Sequence, residues 1–131
     1  MRIAVAGIGA VSPAGWGVCA LRDAVDGGKP LPVQKLDRPG WTEPLPVRPV
    51  PATAPPPAFM RHPRMRRTSS IAQYLVGAAV EALGPRWSDP AARRLGIVVC
   101  VMAGCVNYSK RFYAETLADP ATASPLIFPE S

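Results

Sequence analysis

Three cysteines (Cys19, Cys100 and Cys105), one histidine (His62) and a run of arginines from Arg61 to Arg67 carry the reactive or strongly charged side chains of this 131-residue chain. A cysteine attacks only as its thiolate, which needs a helix N-terminus, a cation or a neighbouring base. Cys105 follows an apolar run and precedes a helical stretch. There a helix dipole favours the thiolate, and His62 is the available base. The competing reading treats the thiols as small hydrophobes, core residues in the apolar runs around Cys19 and Cys100. We adopt the packing reading for all three and assign no catalytic residue. An odd cysteine count without ligand spacing points to a reduced, cytoplasmic setting. A single histidine rules out most histidine-based metal sites. Neither a metal nor a cofactor is expected.

The opening "MRIAVAGIGAVSPAGWG" offers a second chemistry. An apolar run meeting a glycine-rich turn is how a dinucleotide-binding unit begins. That fingerprint needs a third glycine, but here Gly7 and Gly9 are followed by Ser12 and Pro13. The acidic residue expected about twenty positions later would fall in the stretch from Gly27 to Pro32, which has no strand to carry it. A Rossmann-type nucleotide site is therefore the minor reading of this turn.

The third candidate is "MRHPRMRRTSS", with Arg61, Arg64, Arg66 and Arg67 and no acidic residue among them. The plain reading is a solvated approach to the helix that follows. The formal net charge of +6 favours an acidic partner instead. No aromatic residues interleave the arginines, so nucleic acid is not the expected partner. "RRTSS" also fits a basophilic kinase site, a short match with little weight.

The elements that must position these residues follow from pattern. "RIAVAGI" (Arg2–Ile8) reads as a short buried strand and "RLGIVVCVM" as a central parallel strand covered on both faces. "WGVCALRDAVDGG" reads as a helix with Val18, Leu21 and Val25 on one face, closed by Gly27 and Gly28. "SSIAQYLVGAAVEALGP" is the strongest helix, with Ile71, Tyr74, Leu75, Ala78 and Ala82 at helical spacing. Ser70 and Gln73 form a capping box, and Gly84–Pro85 ends the helix. "NYSKRFYAETLADP" is a third helix, with Tyr108, Phe112 and Thr116 on one side. Eleven of the 17 prolines lie between Pro30 and Pro63, so 29–63 is a proline-rich connection, neither helix nor central strand, that Trp41 and Phe59 could pin down. Roughly two-thirds of the chain remains for a core, a size at which burial is only marginally sufficient. No run approaches a membrane-spanning length, and no secretory signal is evident. The order of elements implies an α/β layered fold with an unfinished sheet, because two strands do not make a stable one.

The pattern "VAGIGAVSPAGWG" resembles the N-terminal strand and turn of the β-ketoacyl-acyl carrier protein synthases, condensing enzymes of thiolase-like fold. Gly7, Gly9, Val11, Ser12, Pro13 and Gly15 match the family's Gly-x-Gly-x-Val-Ser/Thr-Pro-x-Gly. "RMRRTSSIAQYLVGAAVEAL" resembles the basic stretch and alanine-rich helix that come next. "RRLGIVVCV" resembles the following strand, and "SPLIFPES" the proline-punctuated segment after it. The resemblance spans nearly the whole chain, with 29–63 poorly matched. "MAGCVNYSKRFY" departs from the small-residue run usual in the housekeeping enzymes.

The resemblance implies an N-terminal segment, 1–131, of a partial thiolase-like α/β fold. The family reaction is a carbon–carbon bond-forming acyl transfer in fatty-acid, polyketide or polyene synthesis. Its cysteine nucleophile and two histidine motifs lie downstream of everything matched here, so the chain alone is expected to be catalytically silent. The partner implied is acyl carrier protein, which is acidic, docking on Arg64, Arg66 and Arg67. Pairing with itself or with a complete ketosynthase is also implied. A non-catalytic carrier-binding or ketosynthase-pairing module is the alternative.

Overall fold

The computed structural model describes residues 2–90, 94–100 and 106–121. Among the described residues, two tiny antiparallel ladders and three helices form in this order. Strand β1 (Val11–Ser12) pairs with β2 (Gly15–Trp16), and helix α1 (Val18–Gly27) follows directly. Strands β3 (Gln34–Leu36) and β4 (Leu45–Val47) form a second ladder. Two 3-10 turns, Ala58–Arg61 and Met65–Arg67, lead into α2 (Ser70–Leu83). A third 3-10 turn (Gly84–Ser88) follows, and α3 (Val106–Ala118) lies further on. This is a mixed helical and small-stranded structure, compatible with an α/β class.

The three helices lie where their periodicity predicts, and the glycine stops do the work expected of them. Gly28 closes α1 in the left-handed region, at φ 59°, and its N–H bonds back to the Val25 carbonyl. Gly84 ends α2 at φ 52°. The α2 start differs from expectation by one residue. Ser69, in extended conformation, is the cap, and its hydroxyl accepts from the Ala72 N–H at 3.3 Å. Gln73 does not close a capping box. Its amide reaches back to the carbonyls of Met65 at 3.1 Å and Thr68 at 3.3 Å.

The 29–63 connection contains more order than its prolines predict. Its ladder is an isolated two-stranded ribbon in which both strands are edges, so Pro46, lacking an N–H, sits opposite Lys35 without breaking a central sheet. Phe59 does pin the connection, packing its ring 6.4 Å from that of Trp16, whereas Trp41 stays exposed.

The two expected buried strands are corrected by the structure. Neither 2–8 nor 94–100 joins a ladder among the described residues; residues 101–102 of the second run lie outside them. Their apolar side chains face solvent: Ile3 is 85% exposed, Val5 82%, Ile97 82% and Val98 98%. The physical reason is the absence of a paired neighbour, since a lone strand has no partner for its backbone and no second layer for its side chains. Cys19 and Cys100, expected in a core, are exposed as well, and Cys105 lies outside the described residues. Among the described residues only Gly15 and Ser69 are buried. No membrane-length apolar helix occurs among the described residues.

Candidate functional site

The best-knit part of the molecule is built where the glycine turn meets α2. Gly7 and Gly9 lie so close to this helix that an added Cβ would fall 1.9 Å from the backbone oxygens of Ala82 and Ala78. Ala78 and Ala82, expected on the packed face of α2, thus meet the N-terminal segment, whereas Ile71 and Leu75 of the same face remain about half exposed. Glu81 joins the two pieces. Its carboxylate accepts from the Ala10 N–H at 2.9 Å and the Val18 N–H at 2.8 Å. Val18 is the first residue of α1, whose N-cap, Gly17, has no side chain to offer. A carboxylate from α2 thus satisfies the free amide and complements the positive end of the α1 dipole.

This arrangement bears on the glycine turn. A nucleotide phosphate on the α1 N-terminus would have to replace, or lie against, a negatively charged side chain. The glycines are used for close helix contact, so the turn is not arranged as a phosphate cradle.

Trp16 is the second anchor. Its indole N–H donates to the Pro51 carbonyl at 2.9 Å, tying the proline-rich connection to the β1–β2 turn. Its ring meets Tyr74 edge-on, with centroids 5.7 Å apart and planes at 79°. It also lies over Gly77, where a Cβ would come within 2.5 Å of the ring. Glycine in a helix interior costs about 1 kcal/mol relative to alanine. Here it makes room for the indole.

Beside Trp16 an open groove of about 970 Å³ runs between α2 and the stretch 57–65. Trp16, Phe59, Met65, Val76, Val80 and Trp87 supply its apolar lining, and His62 and Glu81 are its ionisable members. Both are already engaged: Glu81 with the two amides, and His62 through Nδ1, which accepts from the Arg64 N–H at 3.3 Å. His62 is therefore a wall residue here; its expected partnership with Cys105 falls outside the described residues.

The arginines alternate with this wall. Pro57, Ala58, Phe59, His62 and Met65 line the groove, while Arg61, Arg64 and Arg67 are exposed. The backbone of Arg66 lies in the same 3-10 turn. The Thr68 hydroxyl closes that turn by donating to the Met65 carbonyl at 2.9 Å, and Gln73 of α2 ties it to the helix by donating to the same oxygen. The structure thus brings Arg64, Arg66 and Arg67 into one short stretch fixed at the N-terminus of α2. No cluster of metal-ligating side chains occurs among the described residues.

Sequence reasoning missed Trp16, Gly77 and Glu81. The available signal was Gly77, a glycine inside an otherwise strong helical pattern, which asks what approaches it. Nothing in the pattern marks Glu81, because its partners are backbone amides 63 and 71 residues away. Comparison with protein-family models, curated proteins and solved structures returns no match.

Proposed function

We propose that the chain is a β-ketoacyl-acyl carrier protein synthase-like N-terminal segment, of partial thiolase-like fold, that docks acyl carrier protein and does no chemistry by itself. The observation that carries this reading is the use made of Gly7 and Gly9: they bring the N-terminal segment onto the backbone of α2, and Glu81 occupies the α1 N-terminus that a nucleotide would need. This supports a scaffold role for the very motif that resembles the condensing enzymes. The order of motifs along the chain supports it further.

On this reading the nucleophilic cysteine and the two histidines of the acyl-transfer reaction belong to residues beyond those matched. Arg64, Arg66 and Arg67 steer the acidic carrier, an encounter that weakens as salt screens the charges. Titrating acyl carrier protein against the wild-type chain and against a variant with Arg64, Arg66 and Arg67 all changed to Glu tests it. Salt-sensitive binding lost in the variant is expected. Equal binding by both proteins, or none by the wild type, overturns carrier docking.

A second reading is favoured by the exposed apolar segments 2–8 and 95–100. Two largely apolar, unpaired runs of strand length suit a module completed by a ketosynthase-like polypeptide. Co-purification with a complete ketosynthase, absent when Ile3, Val5 and Val98 are changed to Lys, is the outcome expected of that pairing.

A further inference from the structure

We propose that the groove beside Trp16 seats an amphipathic helix of an acidic partner protein, its apolar stripe between α2 and the 57–65 wall and its carboxylates on Arg61, Arg64 and Arg67. This deepens the carrier-docking reading and rests on it for the identity of the partner. The charge pattern of the wall argues for such an occupant. The stretch turns Phe59, His62 and Met65 to the groove and leaves Arg61, Arg64 and Arg67 exposed. None of these three arginines pairs with an acidic group among the described residues, where the one ion pair joins Arg111 and Glu115 in α3. An apolar trough edged by unpaired cations is the complement of a helix with an apolar stripe and acidic flanks.

The shape and chemistry of the groove argue against a small ligand. Small-molecule sites enclose their ligand and orient it with a few convergent polar groups. This groove is open, Glu81 has both oxygens committed to backbone amides, and His62 Nδ1 is committed to the Arg64 N–H. Two aromatic residues on its lining, the half-buried Trp16 and the half-exposed Trp87, supply the kind of large apolar contact that dominates helix-in-groove binding.

The experiment uses the full chain and two probes. One is acyl carrier protein. The other is a designed peptide helix with a leucine stripe and glutamate flanks. Tryptophan fluorescence reports occupancy, because Trp16 and Trp87 both line the groove. Both probes are expected to bind and to shift the emission. Val80→Lys and Trp87→Ser should each weaken both by about tenfold or more, with helical circular dichroism unchanged. Trp87 is half exposed, so its replacement keeps the test sound should Val80→Lys disturb folding. Arg61→Glu with Arg64→Glu should weaken both probes and flatten the salt dependence.

If arginine variants weaken the carrier but Val80→Lys and Trp87→Ser do not, the groove assignment is overturned and carrier docking stands. If the peptide binds with groove sensitivity and the carrier does not, the groove assignment stands and carrier docking is overturned. If neither binds, the helix assignment is overturned. Self-association of the chain that Val80→Lys abolishes, without probe binding, overturns it in favour of a second copy.

Discussion

The corner around Trp16 and the two apolar segments 2–8 and 95–100 have similar hydrophobic character and opposite fates. In the corner, Trp16 meets Tyr74, Phe59 and Gly77 and donates to Pro51, and Glu81 holds two backbone amides. In the segments, Val98 and Ile3 stand in solvent. The corner is closed by a helix, whose backbone satisfies itself and whose surface needs only one neighbour. The segments read as strands, which need a paired edge and a covering layer before they gain anything. Hydrophobic composition alone therefore does not bury a residue; the number of neighbours its secondary structure requires decides.

That contrast can be broken by substitution. Trp16→Ala is expected to have the largest effect, costing about 3 kcal/mol by removing a large, half-buried aromatic. It should also release the proline-rich connection, measurable as faster proteolysis between residues 29 and 57. Gly9→Ala comes next. An added methyl runs into the Ala78 carbonyl, and overpacking of this kind costs about 1–3 kcal/mol, read as a lower denaturation midpoint. A neutral result would mean that the N-terminal segment does not lie on α2 in solution.

Glu81→Gln should cost about 1 kcal/mol, because a side-chain amide accepts from one backbone N–H and turns its own donor on the other. Ile3→Lys and Val98→Lys should fall within about 0.5 kcal/mol of wild type, since nothing packs on either position. A larger loss at either would show these segments covered in solution and would erase the contrast. Finally, a thiol reagent under native conditions should label Cys19 and Cys100 readily, as both are exposed. Protection of Cys100 alone would indicate that 95–100 has found a partner.

Much of the local structure was legible in the chain. The extent of α2 follows from its apolar period and its Gly84 stop, and that of α1 from Gly28. The arginine run sits on the approach to α2 as its position implies, and the turn carrying it is anchored by Thr68 and Gln73. The face that α2 presents was legible only in part. Tyr74, Ala78 and Ala82 of the expected stripe do make contacts, with Trp16 and the N-terminal segment, but Ile71 and Leu75 of the same stripe stay half exposed, and Gly77 and Glu81 join the contact from beside it. The groove was also illegible, because its lining comes from four separate stretches of chain.

The amino-acid order by itself determined the helices, their glycine ends, the positive charge ahead of α2 and the prolines that keep 29–63 out of a central sheet. These depend on backbone preferences and on neighbours within a few residues. Only the tertiary structure decided that Gly7 and Gly9 face a helix, that Glu81 occupies the α1 N-terminus and that Trp16 joins three parts of the chain. Each of those is a contact between residues far apart in sequence, and such contacts depend on which surfaces meet.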